Sequence, residues 1–198
     1  FEICLPQIEE KPFASSFVNG TRPKGRFVVE PDDLGFNPGT DDWVVHYWKY
    51  PIMASDNTLT GENISSFGLN MHGYYFFWGK LKNENRFILY ASYNDGSGKY
   101  TYSPIFNPDD YFRHWHSEVI LRHGDVMEYW VDGVLQCQGT LTSELVPNYG
   151  TVGLSLGGYS GMVPSNSLFA NITYGKYTDQ WTDDYIREVY EAKIPFSV

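Results

Sequence analysis

The chain has 198 residues, a formal net charge of -10, and Phe, Trp or Tyr at 18% of its positions. A chain this acidic repels the phosphate backbone of nucleic acids. No apolar run approaches the roughly 20 residues that a membrane-spanning helix needs. Nucleic-acid binding and membrane insertion are therefore not expected, and the length suits one all-β domain.

The N-terminal segment differs in pattern from the rest of the chain. Residues 1–24 hold a short apolar stretch followed by closely spaced prolines and glycines, which predicts the end of a strand and a linker from a preceding module. The globular domain is expected over residues 25–198. Because the chain begins at Phe1 in the middle of this pattern, we expect it to be part of a longer protein.

Short apolar and aromatic runs follow, separated by turn residues about every ten positions. This spacing is typical of an antiparallel sandwich. The sequence Asn94-Asp-Gly-Ser-Gly98 predicts a hairpin, since Asn and Gly tolerate the positive φ of tight turns. The predicted strands cover 27–29, 43–50, 66–69, 74–78, 86–93, 100–102, 118–122, 126–131, 134–141, 151–156 and 168–177.

A helical period appears only near the end of the chain, at about residues 183–192. Thr182 is a good N-cap, and Asp183 and Asp184 stand where the helix dipole favours acids. Pro195 is expected to end the helix. The predicted fold is therefore an all-β, two-sheet antiparallel sandwich with a short C-terminal helix.

Several segments occur in the order of a known family. Trp115, the strand over 118–122 and Tyr129-Trp-Val-Asp-Gly133 together resemble the laminin-G-like, concanavalin-type jelly roll. The closing strand and helix resemble it too. Separately, residues 5–22 resemble the junction that follows jelly rolls in bacteriophage tail and fibre proteins. These resemblances imply a non-enzymatic module of a virion appendage or other extracellular surface protein.

The sequence lacks the carboxylate pattern of glycan-cleaving sandwich enzymes. Sandwich enzymes that cleave β-glucans carry Glu-x-Asp-x-x-Glu on one strand, because alternation then points all three carboxylates into one cleft. No such spacing occurs here. Adjacent carboxylates such as Asp41-Asp42 face opposite sides of a strand and fit turns and helix caps better. We therefore expect a protein that is not an enzyme.

Ligand binding is the favoured function, with a glycan or cell-surface receptor as partner. In the strand over 126–131, alternation predicts Met127, Tyr129 and Val131 as core, and places Trp130 on the opposite face. An exposed ring there would stack on a sugar, whereas a covered ring would only pack. The candidate ligand-binding residues are Trp130, Glu128, Tyr93, Trp78 and Tyr75.

Two further expectations concern metals and partners. Related folds bind calcium through loop oxygens, so calcium is a candidate cofactor, with simple turn chemistry as the alternative. The alternative function is a structural or decoration module that contacts neighbouring virion proteins or copies of its parent protein. The candidate calcium ligands are Asn94, Asp95, Asp56 and Asn57.

Overall fold

A computed structural model describes residues 27–51, 63–69, 74–81, 84–93, 95, 97–142, 153–156, 163–164 and 167–192. The predicted division at residue 24 lies outside these ranges and stays a prediction. The described strands are β1 (Phe27–Val29), β2 (Trp43–Pro51), β3 (Asn63–Leu69), β4 (Tyr74–Leu81), β5 (Glu84–Ser92), β6 (Gly98–Tyr102), β7 (His116–His123), β8 (Val126–Val131), β9 (Val134–Thr140), β10 (Leu154–Leu156), β11 (Val163–Pro164) and β12 (Ser167–Lys176). The helices are α1 (Pro108–Tyr111) and α2 (Asp183–Glu191), and a 3-10 turn covers Pro31–Asp33.

The strands form two sheets, which confirms the predicted all-β antiparallel sandwich with its C-terminal helix. The first sheet has the order β1-β10-β3-β4-β5-β6, with β11 beside β3. The second has the order β12-β2-β7-β8-β9. Among the described strands, β11 pairs with β3 in parallel and the other neighbours are antiparallel. Strand β11, helix α1 and the 3-10 turn were not predicted from the sequence, because they are short and lack a periodic pattern.

The main core lies between the sheets. Phe87, Leu89 and Ala91 of β5 face Ile120 of β7 and Tyr129 of β8, and all five are buried. The predicted core face of β8 is confirmed, because Met127, Tyr129 and Val131 all belong to this cluster. Cys137 lies there as a buried thiol, and burial raises its pKa to about 12.

A second apolar cluster covers the opposite face of the second sheet. Helix α2 lies there with Ile186 buried, and its cluster includes Val119, Leu121 and Trp130. The predicted N-cap is confirmed, since the Thr182 hydroxyl accepts a hydrogen bond from the backbone N–H of Tyr185 at 3.2 Å. Strand β2 is therefore buried along almost its whole length, with the core on one face and α2 near the other.

A buried charge cluster crosses the core. The carboxylate of Glu118 accepts hydrogen bonds from the hydroxyls of Tyr47 at 2.7 Å, Tyr111 at 2.5 Å and Tyr129 at 2.9 Å. The Lys49 ammonium lies 3.4 Å from the same carboxylate and donates to the Tyr111 hydroxyl at 2.9 Å. Lys49 and Glu118 both have no exposed side-chain surface. We call these five residues the Glu118 cluster.

The electrostatics of the Glu118 cluster favour an ionised carboxylate. Burial alone would raise the pKa of Glu118, but the Lys49 ammonium and the three tyrosine hydroxyls outweigh it, so the pKa is lowered. Burial lowers the pKa of Lys49, and Glu118 opposes that shift. A buried pair of this kind contributes little net stability while both partners are present, but removing either one is strongly destabilising.

Glu118→Gln is expected to lower the free energy of unfolding by about 3–5 kcal/mol, because it leaves the Lys49 ammonium buried without a counter-charge. Urea unfolding followed by tryptophan fluorescence measures this. Glu128→Gln is the matched control, since Glu128 lies partly exposed on the other face of the sheet and its loss should cost about 1 kcal/mol. Equal losses in the two variants would contradict the structural role of the Glu118 cluster.

His46 makes folding sensitive to acid. Burial lowers the pKa of His46 from 6.5 to about 4, and its Nε2 lies 3.0 Å from the Ser117 hydroxyl. The unfolded chain therefore binds a proton between these two pH values that the folded chain does not, so stability falls as the pH falls through this window. The expected loss between pH 7 and pH 4 is roughly 3 kcal/mol.

His46→Gln should remove that part of the pH dependence, because glutamine keeps a polar group near Ser117 but does not titrate. Urea unfolding of both proteins at several pH values between 7 and 4 measures the difference. The wild-type free energy of unfolding should fall more steeply than that of the variant. Parallel curves for the two proteins would show that His46 does not control the acid response.

Candidate functional site

Two of the predicted ligand-binding aromatics are buried. Trp130 is 3% exposed and belongs to the cluster under α2, and Tyr93 is 4% exposed and belongs to the main core. The predicted face of Trp130 is correct, and of the two alternatives that the sequence left open the covered ring is the one observed, because α2 and its flanking residues Tyr177 and Trp181 cover that face. Neither ring is available on the surface for a sugar to stack on.

Glu128 lines a cleft between the second sheet and α2. Its carboxylate accepts hydrogen bonds from Trp130 Nε1 at 2.8 Å and from Gln138 Nε2 at 2.7 Å. The cleft has a volume of about 670 Å³, and Tyr177 and Trp181 contribute to its walls. The carboxylate therefore already positions two neighbouring side chains, and a role in ligand binding stays a prediction.

The predicted residues of β4 are described by their backbone positions. Tyr75 is the cross-strand partner of Tyr90 on β5, and Trp78 is the partner of Phe87. Their side chains lie outside the described part of the structure. Tyr75 therefore falls in the same cross-strand row as Tyr90.

Of the four predicted calcium ligands, Asp95 is the one that lies within the described residues. Asp95 Oδ1 accepts hydrogen bonds from the backbone N–H of Ser97 at 2.8 Å and from its hydroxyl at 2.6 Å, which is the turn chemistry expected between β5 and β6. In the part of the chain that the structure describes, no group of three or more His, Cys, Asp or Glu side chains is placed to hold a metal. Asn94, Asp56 and Asn57 lie outside that part, so the calcium site stays a prediction.

Among the described side chains, the most exposed aromatic ones lie on the outer face of the first sheet. Tyr100 is 48% exposed and Tyr102 is 42% exposed, and both are on β6. Tyr90 of β5 is the cross-strand partner of Tyr100, with ring centroids 4.3 Å apart. The rings of Tyr100 and Tyr102 are nearly parallel, at 6° and 6.1 Å. We call these three residues the tyrosine row.

Strand alternation and one glycine produce the tyrosine row. Lys99 faces the second sheet, where its ammonium donates to the carbonyl of Thr140 at 2.6 Å, so the neighbouring tyrosines face outwards. A Cβ at Gly98 would lie 2.5 Å from the Tyr90 hydroxyl. The Tyr90 ring therefore lies across Gly98 and requires a residue without a side chain there.

The chemistry of the tyrosine row suits a polar ligand with apolar patches. Tyrosine offers a flat apolar ring and a hydroxyl that both donates and accepts hydrogen bonds. Partial burial, with Tyr90 and Tyr102 nearby, raises the pKa of Tyr100, so its hydroxyl is neutral at physiological pH. Both strands and the hairpin were predicted from the sequence, but the tyrosine row was not. The pairing of Tyr90 with Tyr100 depends on the register of that hairpin, which the sequence does not specify.

The chain resembles solved structures in fold. It superposes on the receptor-binding domain of botulinum neurotoxin type G with a TM-score of 0.55 at 12% identity, covering 78% of this chain and 39% of that one. For the binding domain of Paraclostridial mosquitocidal protein 1 the TM-score is 0.59 at 11% identity, covering 84% and 41%. The chain thus spans about two fifths of the length of these domains. At such identities the likeness establishes the β-rich sandwich fold.

Sequence-level comparisons give no further relatives. No protein-family model matches the chain, and no curated protein matches it. Among the described residues, no helix has both the length and the apolar character needed to cross a bilayer.

Proposed function

We propose that the protein is a non-catalytic module that binds a carbohydrate or glycosylated cell-surface receptor through the tyrosine row. The observation that carries this proposal is the exposure of the nearly parallel rings of Tyr100 and Tyr102 on the edge strand β6. Contiguous exposed aromatic surface can mark a binding site.

The physical basis is the match between tyrosine and a sugar. The C–H faces of a pyranose pack against aromatic rings, and tyrosine holds its ring with only two rotatable bonds, so little conformational entropy is lost on binding. The Tyr90 ring packs against the Tyr100 ring, with centroids 4.3 Å apart. This contact further limits the movement of Tyr100. The hydroxyls at the ring edges are placed to meet sugar hydroxyls.

The structural neighbours support the receptor-binding part of the proposal. Both are described as binding domains, one of a neurotoxin and one of a mosquitocidal protein. The non-catalytic part rests on the sequence, in which the carboxylate pattern of glycan-cleaving sandwiches is absent. Fold alone does not determine function, so the binding surface itself must be tested.

The proposed setting is a virion appendage or other extracellular surface, with a laminin-G-like jelly roll as the family. Its support is the resemblance of residues 5–22 to a junction in phage tail and fibre proteins, together with the order of motifs from Trp115 to Gly133. In that setting the module would be tethered through its N-terminal segment. Sequencing the genomic region that surrounds the coding sequence tests this, since neighbouring tail genes are expected.

A structural role is the second candidate. Exposed apolar side chains occur near the open edge of the sandwich, at Ile105 and at Val134 and Leu135 of β9. Apolar residues on an edge strand are suited to contacts with another protein. A stable trimer, or attachment to virion proteins without glycan affinity, would favour this role over glycan binding.

Replacing both exposed tyrosines should weaken binding without affecting the fold. The Tyr100→Ala/Tyr102→Ala variant is expected to weaken the affinity for any glycan found on an array by tenfold or more, a loss of about 1.4 kcal/mol, because the stacking surface is gone. Isothermal titration with that glycan measures the loss. Leu168→Ala, in the second sheet and equally exposed at 48%, is the matched control and should bind normally.

Two results would contradict the proposal. One is that the wild-type protein binds nothing on the glycan array while remaining folded by circular dichroism. The other is that the double tyrosine variant and the Leu168→Ala control bind a glycan with equal affinity. In the second case the module would bind sugar elsewhere on its surface.

A further inference from the structure

A separate pocket opens at the end of the sandwich, close to the tyrosine row. It has a volume of about 410 Å³ and lies between the loop around α1 and the start of β9. Its lining includes the rings of Phe106, Tyr111 and His116 and the polar side chains of Asn107, Asp132 and Gln136. We call it the end pocket. Its size is within the range of sites that hold small molecules.

Stacked rings form one wall of the end pocket. The Phe106 ring lies parallel to that of Phe87, with centroids 4.7 Å apart, and 5.2 Å from that of Tyr111. The His116 ring stacks on Tyr111 at 4.6 Å. Phe87, Tyr111 and His116 are buried at 3–6% exposure, so the partly buried Phe106 is the ring of this wall that a sugar would contact.

Hydrogen bonds within the protein hold the Tyr111 and His116 rings of this wall in place. Tyr111 belongs to the Glu118 cluster, so its hydroxyl is held in the core. Both ring nitrogens of His116 face acceptors, the Tyr111 carbonyl at 2.7 Å and the Asp132 carboxylate at 2.6 Å. Asp132 also accepts from the backbone N–H of Ser117 at 2.9 Å. The pocket is therefore preformed, which reduces the entropy lost when a ligand binds.

Amide groups stand at the mouth of the end pocket. Asn107 Oδ1 accepts from the backbone N–H of Asp109 at 3.2 Å, and Gln136 Nε2 donates to the carbonyl of Val134 at 3.3 Å. Within the described residues this leaves the Asn107 amino group and the Gln136 carbonyl to meet a ligand. One donor and one acceptor beside an aromatic wall suit a molecule with several hydroxyls.

We propose that the end pocket is a monosaccharide subsite that takes one neutral pyranose ring, stacked on Phe106 and hydrogen-bonded to Asn107 and Gln136. This inference rests on the proposed function and names the part of the glycan that gives specificity. Tyr102 and Phe106 are four residues apart, so at most about 14 Å separates their Cα atoms. The two sites face different sides of the first sheet, because Phe106 packs on the core residue Phe87 whereas Tyr102 faces outwards, so each site is tested with its own probe.

Saturation-transfer NMR with single sugars separates this subsite from the tyrosine row. The probes are the methyl pyranosides of glucose, mannose, galactose and N-acetylglucosamine, titrated into the full chain. At least one is expected to bind the wild-type protein, and Asn107→Ala/Gln136→Ala should weaken it tenfold or more. Gln180→Ala, an exposed glutamine in the turn before α2, should bind it normally, as should the double tyrosine variant.

The contrary outcomes distinguish failure of the end-pocket subsite from failure of the proposed function. If the array yields a glycan whose binding depends on the tyrosine row but none of the methyl pyranosides binds, the end-pocket subsite is overturned and the proposed function stands. Equal binding of a pyranoside by the wild type and the pocket variant also overturns the subsite alone. If neither the array nor the single sugars show binding, both the subsite and the proposed function are overturned.

Discussion

The central strands β2, β7 and β8 of the second sheet are buried on both faces, and this constraint limits where the molecule can meet a ligand. One face packs on the first sheet to form the main core, and helix α2 covers the other with Ile186 over Trp130 and Leu121. Burial of these side chains supplies the favourable free energy of docking the helix. In the part of the chain that the structure describes, the most exposed aromatic side chains, Tyr100 and Tyr102, lie on the first sheet, and the end pocket lies at the end of the sandwich.

The Glu118 cluster connects this packing to the end pocket. Lys49 of β2 and Glu118 of β7 compensate each other's charge in the core, and three tyrosine hydroxyls satisfy the remaining acceptor sites of the carboxylate. Tyr111 is the member shared with the pocket, since its hydroxyl lies in the cluster and its ring forms part of the pocket wall. The stability of the core and the shape of the proposed subsite therefore depend on the same hydrogen bonds.

Much of the fold was predictable from the sequence because it depends on local periodicity. Alternation in β8 identified Met127, Tyr129 and Val131 as core, and the change to helical spacing located α2 with its cap at Thr182. The exposure of Trp130 could not be read in the same way, since it depends on a helix that begins more than fifty residues later in the chain.

The site was less predictable because its parts are assembled by tertiary contacts. In the sequence, Glu118 looks like an ordinary polar residue on a strand. Its partners Tyr47 and Lys49 lie on a strand about seventy residues earlier in the chain. Tyr90 and Tyr100 become neighbours only through the register of the β5–β6 hairpin. Pairing register and helix docking are long-range properties, and one sequence without those contacts does not specify them.

Side-chain accessibility shows directly whether α2 covers Trp130 while the tyrosine row is exposed. Hydroxyl-radical footprinting of the native protein, with modified residues identified by mass spectrometry, compares Trp130 with Tyr100 and Tyr102 in a single experiment. Because tryptophan reacts at least as readily as tyrosine when both are in water, slow modification of Trp130 beside rapid modification of the two tyrosines is predicted. Modification of Trp130 as fast as that of Tyr102 would show that α2 does not cover the second sheet, and would contradict the account.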